Sequence, residues 1–230
     1  MPEELMSTLA PLEAYRLWAA AYPPRPHNAV MLAEERAVKA LLPASLAGFN
    51  VLDAGCGSGR LLLLAKQRGA SYCVGIDLTM EMLLRAMTET EIRSGCRLAR
   101  ATMTGLPVRS RWAELSLSGM AIGHVPAIRP ALAEMRRVTM PGGRILVSDF
   151  HPVGHDLGWK RTFRANGRRY AVDYTPHHRE EWLTSCADLG LEIEGIEEPY
   201  LDPADIPAGA RFDAAALEQP VALVVAMRRP

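Results

Sequence analysis

Three glycines, Gly55, Gly57 and Gly59, stand two residues apart in Asp53-Ala54-Gly55-Cys56-Gly57-Ser58-Gly59, between two apolar stretches. Glycine at this spacing permits a tight turn and lets a ligand approach the backbone. Amides at the start of a helix also favour an electron-rich ligand. Asp77 ends the next apolar stretch, 20 residues after Gly57. A carboxylate at the end of a second strand reaches the vicinal hydroxyls of a bound ribose. Together the loop and the acid point to a ligand built on a nucleoside. The dinucleotide fingerprint G-x-G-x-x-G is broken by Arg60 at its sixth position, and no G-K-[ST] follows as a triphosphate loop requires.

These residues need elements to hold them. The apolar spacing of Leu9, Leu12, Tyr15, Leu17 and Trp18 predicts a helix, stopped by Tyr22-Pro23-Pro24-Arg25-Pro26. Asn28 is a good cap for a second helix ending at Leu42. From Phe49 the pattern alternates. Strands are predicted at Phe49–Asp53, Tyr72–Asp77, Arg97–Ala101, Leu115–Met120 and Arg144–Asp149. Helices are predicted over Gly59–Gln67, from a Thr79 cap to Ile92, and over Ala127–Val138 before the turn Pro141-Gly142-Gly143. This alternation predicts an α/β fold with a mostly parallel sheet covered by helices on both faces. Asn166-Gly167, between Lys160–Phe163 and Arg169–Asp173, predicts a β-hairpin inserted after the fifth strand. A helix over Arg179–Asp188 and two strands, Leu191–Glu197 and Val221–Arg228, complete the chain. Those two strands are expected to pair antiparallel, across a proline-rich connection, 199–220, without a helix.

Ligands of open α/β sheets bind at the carboxyl ends of the strands. His124 follows the fourth strand, and Asp149 and His151 end the fifth. His124 is the first candidate for a base or an acceptor-positioning group and His151 the second, with Asp149 to orient either. His155, His177 and His178 are expected at the surface. Tyr15, Trp18 and Tyr22 fall at near-helical spacing, with Arg25 and His27 close behind. The hairpin interleaves Lys160, Arg161, Arg164, Arg168 and Arg169 with Trp159, Phe163 and Tyr170. That mixture suits a charged ribbon or a lid for an aromatic substrate bearing a carboxylate or phosphate.

From Tyr15 to Asp149 the chain resembles the class I S-adenosylmethionine-dependent methyltransferases, a family that includes ubiquinone/menaquinone methyltransferases. Val51-Leu52-Asp53-Ala54-Gly55-Cys56-Gly57-Ser58-Gly59 is similar to its first motif, and Val74-Gly75-Ile76-Asp77 to its second. Leu106-Pro107 and Pro141-Gly142-Gly143 match two further turns. The resemblance implies a Rossmann-like, seven-stranded sheet with a reversed last strand. It implies S-adenosylmethionine as cofactor, on Asp53, Gly55, Cys56, Gly57, Gly59, Asp77 and Leu78. Thr102 and Met103 would flank the adenine, and Tyr15 and Tyr22 would close over the methionine end or the acceptor. It further implies an N-terminal helical lid, residues 1–48, on a methyltransferase domain, residues 49–230, with residues 150–178 as the inserted hairpin lid. Two positions depart from the family: Thr102 replaces an adenine-binding acid, and Trp112-Ala113 replaces Phe-Asp. Weaker cofactor binding is expected from them.

Composition narrows the partners. The 230 residues suit one domain with decorations. Twenty-six basic and 26 acidic residues cancel, which disfavours a nucleic-acid substrate. The stretch Ala121-Ile122-Gly123-His124-Val125-Pro126 also lacks the Asn/Asp-Pro-Pro-aromatic loop of enzymes that methylate exocyclic amines. Cys56, Cys73, Cys96 and Cys186 form no C-x-x-C pair and are expected as reduced core thiols. No metal-ligand spacing appears. The acidic first residues, Met1-Pro2-Glu3-Glu4, lack a signal core, and no apolar run approaches the ~20 residues of a membrane span. A cytoplasmic enzyme acting on a small molecule by O- or N-methylation, as a monomer or homodimer, is the expectation. A nucleic-acid or protein methyltransferase of the same fold, or a repurposed cofactor-binding protein, are the alternatives.

Overall fold

The computed structural model describes residues 6–206 and 214–230. The acidic start of the chain and residues 207–213 of the proline-rich connection lie outside the described residues. In chain order the elements are β1 (Ser7–Leu9), α1 (Pro11–Trp18), α2 (Ala29–Leu41), β2 (Asn50–Ala54), α3 (Arg60–Gln67), β3 (Tyr72–Asp77), α4 (Met80–Ala86), α5 (Thr90–Gly95), β4 (Cys96–Arg100) and β5 (Ala113–Gly119). There follow α6 (Ile128–Val138), β6 (Thr139–Phe150), α7 (Pro152–Asp156), β7 (Thr162–Ala165), β8 (Arg168–Val172), α8 (Arg179–Leu189), β9 (Glu192–Glu197) and β10 (Ala222–Arg228).

Seven strands form the main sheet in the order β4-β3-β2-β5-β6-β10-β9. The pairings among β2 to β6 are parallel, while β10 runs antiparallel to both β6 and β9. The reversed strand is therefore the last in the chain, as expected. Successive residues of a strand point to opposite faces, and each face has its own core. Val51, Val224 and Ala226 join Val38 of α2 and Leu62 of α3 on one side. Leu52, Leu223, Val225 and Met227 join Leu132 of α6 and Trp182 of α8 on the other.

The structure corrects several local expectations. Ser7–Leu9 is a strand, not the start of a helix; it pairs parallel to β8, giving a second sheet of order β1-β8-β7. Pro11 then starts α1, where its missing amide costs nothing. The helix expected from Thr79 to Ile92 is broken into α4 and α5. The Thr88 hydroxyl turns back to the Arg85 carbonyl at 2.8 Å, competing with the helical ladder. Thr79 does not cap through its side chain; its amide donates instead to Asp77 Oδ1 at 2.8 Å. The alternating stretch around Leu115 is a buried central strand. Leu115 and Leu117 enter the first core, and the Ser116 hydroxyl on the opposite face meets Thr139 Oγ1 at 2.7 Å. Pro141-Gly142-Gly143 lies inside β6, where Gly142 donates to the Arg229 carbonyl at 2.7 Å. In the connection, the described parts hold two 3-10 turns, Pro203–Asp205 and Ala214–Leu217. The Asn28 cap and the Gly190 helix stop are as expected. The four cysteines are buried and unpaired. Among the described residues, no helix is long and apolar enough to cross a membrane.

One polar contact ties the N-terminal segment to the sheet. Glu34 of α2 is fully buried. Arg60 Nη2 lies 2.9 Å from its Oε1 and 2.8 Å from its Oε2. The Ser148 hydroxyl of β6 donates to the same Oε1 at 2.5 Å. Removing one partner of a buried pair strands the other charge in a poor solvent. Glu34→Ala is therefore expected to cost about 3–5 kcal/mol of folding stability, read as a lower urea midpoint. Glu35→Ala, whose carboxylate is 3.8 Å from Arg60 Nη1, should cost far less.

Candidate active site

The loop between β2 and α3 is a run of left-handed turns, with φ of +79° at Gly55, +54° at Gly57 and +91° at Gly59. A Cβ on Gly55 would sit 2.5 Å from the Ala121 Cβ, and one on Gly57 would sit 3.2 Å from the Met82 methyl. Bare backbone is the only thing that fits, and it opens onto a cavity. The Asp77 carboxylate closes the loop from the next strand: Oδ2 accepts the Gly57 amide at 2.8 Å while Oδ1 takes Thr79. Burial raises the Asp77 pKa above the ordinary carboxylate value, and these amides work against that rise.

The cavity gathers most of the residues singled out in the sequence. Asp53, Gly55, Cys56, Gly57, Asp77, Leu78, Thr102, Met103, Tyr15, Tyr22 and His124 all line it. Gly59 does not: its site is packed shut by Ile92, whose Cδ1 would lie 2.1 Å from an added Cβ, so its glycine serves the turn. Thr102 accepts from the Thr104 amide at 3.3 Å and shares a hydroxyl contact of 3.0 Å with Thr104. Trp112-Ala113 does not reach the cavity. Ala113 is buried at the start of β5, and the Trp112 carbonyl accepts from Asn50 Nδ2 at 3.1 Å.

Asp53 carries an unusual burden. Both its carboxylate oxygens are buried without a hydrogen-bond partner. Burial pushes its pKa up to about 8, against the lowering effect of Arg60. A raised folded-state pKa means that this group's contribution to stability is present in acid and lost as pH rises through about 8.

The opposite end is aromatic and basic. The Tyr15 hydroxyl is 3.0 Å from His124 Nε2. Arg161, on the approach to β7, sends Nη1 to the Met120 carbonyl at 3.2 Å and to within 3.4 Å of His124 Nε2, and its Nη2 donates to the Tyr22 hydroxyl at 3.2 Å. Its guanidinium also lies over Tyr15 at 5.3 Å, Trp18 at 5.8 Å and Phe150 at 4.9 Å. Burial, reinforced by Arg161, drives the His124 pKa down to about 3. Burial likewise raises the Tyr15 pKa above the ordinary phenol value. Arg161 was one of five basic residues noted in the hairpin, and nothing in the sequence marked it as the one turned inward. Arg60 also lines the cavity, a role the sequence left unassigned.

Two expected catalytic residues are not brought to the cavity. His151 caps α7, taking the Val153 amide on Nδ1, with Nε2 3.3 Å from Glu198. Asp149 lies behind the His124 loop, where a Cβ on Gly123 would sit 2.5 Å from its Oδ2, and burial holds its pKa up at about 6. His177, expected at the surface, is buried, held 2.9 Å from Glu181 and 3.1 Å from the Val125 carbonyl.

Comparisons with known proteins agree with this geometry. Residues 52–147 match the methyltransferase domain family. The malonyl-[acyl-carrier protein] O-methyltransferase of Pectobacterium atrosepticum is 34% identical over 46% of this chain and 40% of its own length. The ubiquinone/menaquinone biosynthesis C-methyltransferase of Syntrophotalea carbinolica is 34% identical over 46% of each chain. The chain thus spans less than half the length of these curated relatives. The crystal structure of an S-adenosylmethionine-dependent methyltransferase from Mesorhizobium loti superposes with a TM-score of 0.70 at 27% identity, over 86% of this chain and 98% of that one. Residues 52–147 thus carry a methyltransferase domain, within a fold shared with S-adenosylmethionine-dependent methyltransferases. The site fits that cofactor: a bare glycine cradle, a strand-end acid, and a buried carboxylate, Asp53, with no partner of its own.

The low basicity of His124 is testable. An NMR titration of its ring protons is expected to show no protonation between about pH 5 and pH 8. Arg161→Gln should move the transition upward, because a like charge is removed, yet leave it below the ordinary histidine value, because burial remains.

Proposed function

We propose that the protein transfers a methyl group from S-adenosylmethionine to the oxygen or nitrogen of a small molecule by direct displacement. The observation that carries this reading is the single cavity running from the glycine loop to the Tyr15–His124–Arg161 cluster. Bound there, the cofactor supplies a methyl group activated by a positively charged sulfur. The chain's own task is then to orient both partners and exclude water.

Asp77 takes the ribose hydroxyls, and the Gly55 and Gly57 backbone admits the methionine portion. Asp53 pairs with its ammonium, which gives the buried carboxylate the counter-charge it lacks. Leu78, Thr102 and Met103 flank the adenine. His124, held by Tyr15, positions the acceptor as a neutral ring, because its basicity is too low for efficient proton removal at neutral pH. An acceptor that arrives already deprotonated suits such a site. Asp149 braces the His124 loop from behind, and His151 takes no part. The described N-terminal residues 6–48 and the hairpin within residues 150–178 serve as a roof over the remainder of the methyltransferase domain that starts at residue 49. A small acceptor is favoured over a nucleic acid by the balanced charge of the chain.

Calorimetric titration with S-adenosylhomocysteine tests the reading. Asp77→Ala is expected to weaken binding by about 10- to 100-fold, the value of losing hydrogen bonds to a charged group; unchanged affinity, or no binding to the wild type, would sink the proposal. Asp53 must ionise to meet an ammonium, so affinity should rise between about pH 6 and pH 8, with a proton released on binding. Asp53→Asn should flatten that dependence.

A further inference from the structure

Two arginines line the cavity, and they are treated differently. Arg60, directly after the glycine loop, has a counter-charge in Glu34. Arg161 forms no ion pair with any described residue; its partners are a carbonyl, a phenol and an imidazole. The faces of three aromatic rings surround it. None of the nearby acids makes an ion pair with it, although the charge of Asp149 favours its guanidinium from a distance. Asp77 is committed to the Gly57 and Thr79 amides, Asp53 sits beside Arg60 at the loop end, and Asp149 lies behind Gly123 with its Oδ1 on the Phe150 amide.

A guanidinium away from bulk water without a counter-ion is costly unless a ligand brings one. Its geometry says which kind. Nη1 and one Nη2 hydrogen are used by Met120, His124 and Tyr22, whereas Nε and the second Nη2 hydrogen have no partner among the described residues. Nε and Nη2 form the planar two-pronged edge that a carboxylate fills with two parallel hydrogen bonds. Pro11, Leu12, Tyr15 and Val125 supply apolar surface on the same cavity.

We propose that Arg161 anchors the methyl acceptor through a carboxylate, so that the substrate is an organic acid whose apolar body lies against Tyr15, Leu12 and Val125. This rests on the acceptor end assigned above and adds its substrate class. Arg60 also lines the cavity and, although its Nη2 is paired with Glu34, its Nη1 is buried without a hydrogen-bond partner, so the cofactor's carboxylate has a donor other than Arg161. The competing role is a structural one, in which Arg161 staples the hairpin to β5 through the Met120 carbonyl.

Titration of the full chain with benzoate, benzamide and phenyl phosphate separates these roles. With S-adenosylhomocysteine bound, the wild type is expected to take benzoate about tenfold or more tightly than benzamide, as a charge-assisted pair of hydrogen bonds requires. In Arg161→Gln that preference should vanish, with S-adenosylhomocysteine affinity unchanged; Arg161→Lys should keep only part of it. Equal binding of benzoate and benzamide by the wild type overturns the proposal without recourse to any variant. So does a stronger preference for phenyl phosphate, or an Arg161→Gln protein that loses S-adenosylhomocysteine but keeps the benzoate preference. Should the wild type bind no S-adenosylhomocysteine, the cofactor reading fails by itself, and the benzoate comparison on the ligand-free chain still decides the role of Arg161.

Discussion

The ion pair between Glu34 and Arg60 is the contact on which the rest of the molecule depends. It joins α2 from the N-terminal segment, the first turn of α3 after the glycine loop, and Ser148 at the carboxyl end of β6. Arg60 itself and Met31 of α2 line the cavity. A hydrophobic contact there would hold the elements together but leave them free to slide. A charge pair in a dry setting has few satisfactory geometries, because each lost hydrogen bond is paid for in full desolvation. The loop, its helix and the overlying segment are therefore held in one arrangement.

The division of charge along the cavity follows from this. At the loop end, Arg60 is paired with Glu34 while Asp53 has no hydrogen-bond partner, and a cation arriving there would favour its ionised form. At the far end, Arg161 has no ion-pair partner among the described residues, though the charge of Asp149 favours it from a distance, and it depresses the basicity of His124 beside it. A ligand with a cation at one end and an anion at the other would answer both groups. Such preorganised electrostatics cost no rearrangement when the reacting groups arrive.

Much of this was legible in the residues. Glycine spacing and a strand-end acid have a narrow set of physical explanations, so the loop, Asp77 and the alternation of parallel strands with helices could be read directly. The reversed β10 followed from two adjacent strands with no crossover helix. What escaped was long-range in origin. Nothing near Ser7–Leu9 reveals that its pairing partner lies in β8. One inward arginine cannot be told from its neighbours in a hairpin of five basic residues, since side-chain direction there depends on how the ribbon is draped. His151 misled because a strand-end histidine reads alike whether it faces the cavity or caps the next helix. The alternating residues of β5, read as a strand, fit its central place because Ser116 and Ser118 are small and buried.

The pairing of β1 with β8 carries a consequence for assembly. Ser7 lies opposite Tyr170, and Leu9 opposite Val172. This small sheet is thus sewn from the two ends of a long stretch of chain. It cannot form on the ribosome until most of the protein has emerged, and its closure carries the entropy of a very long loop. The sheet beneath, whose parallel strands are separated by short local helices, can form first. The two sheets would then arise as successive events, the larger before the smaller.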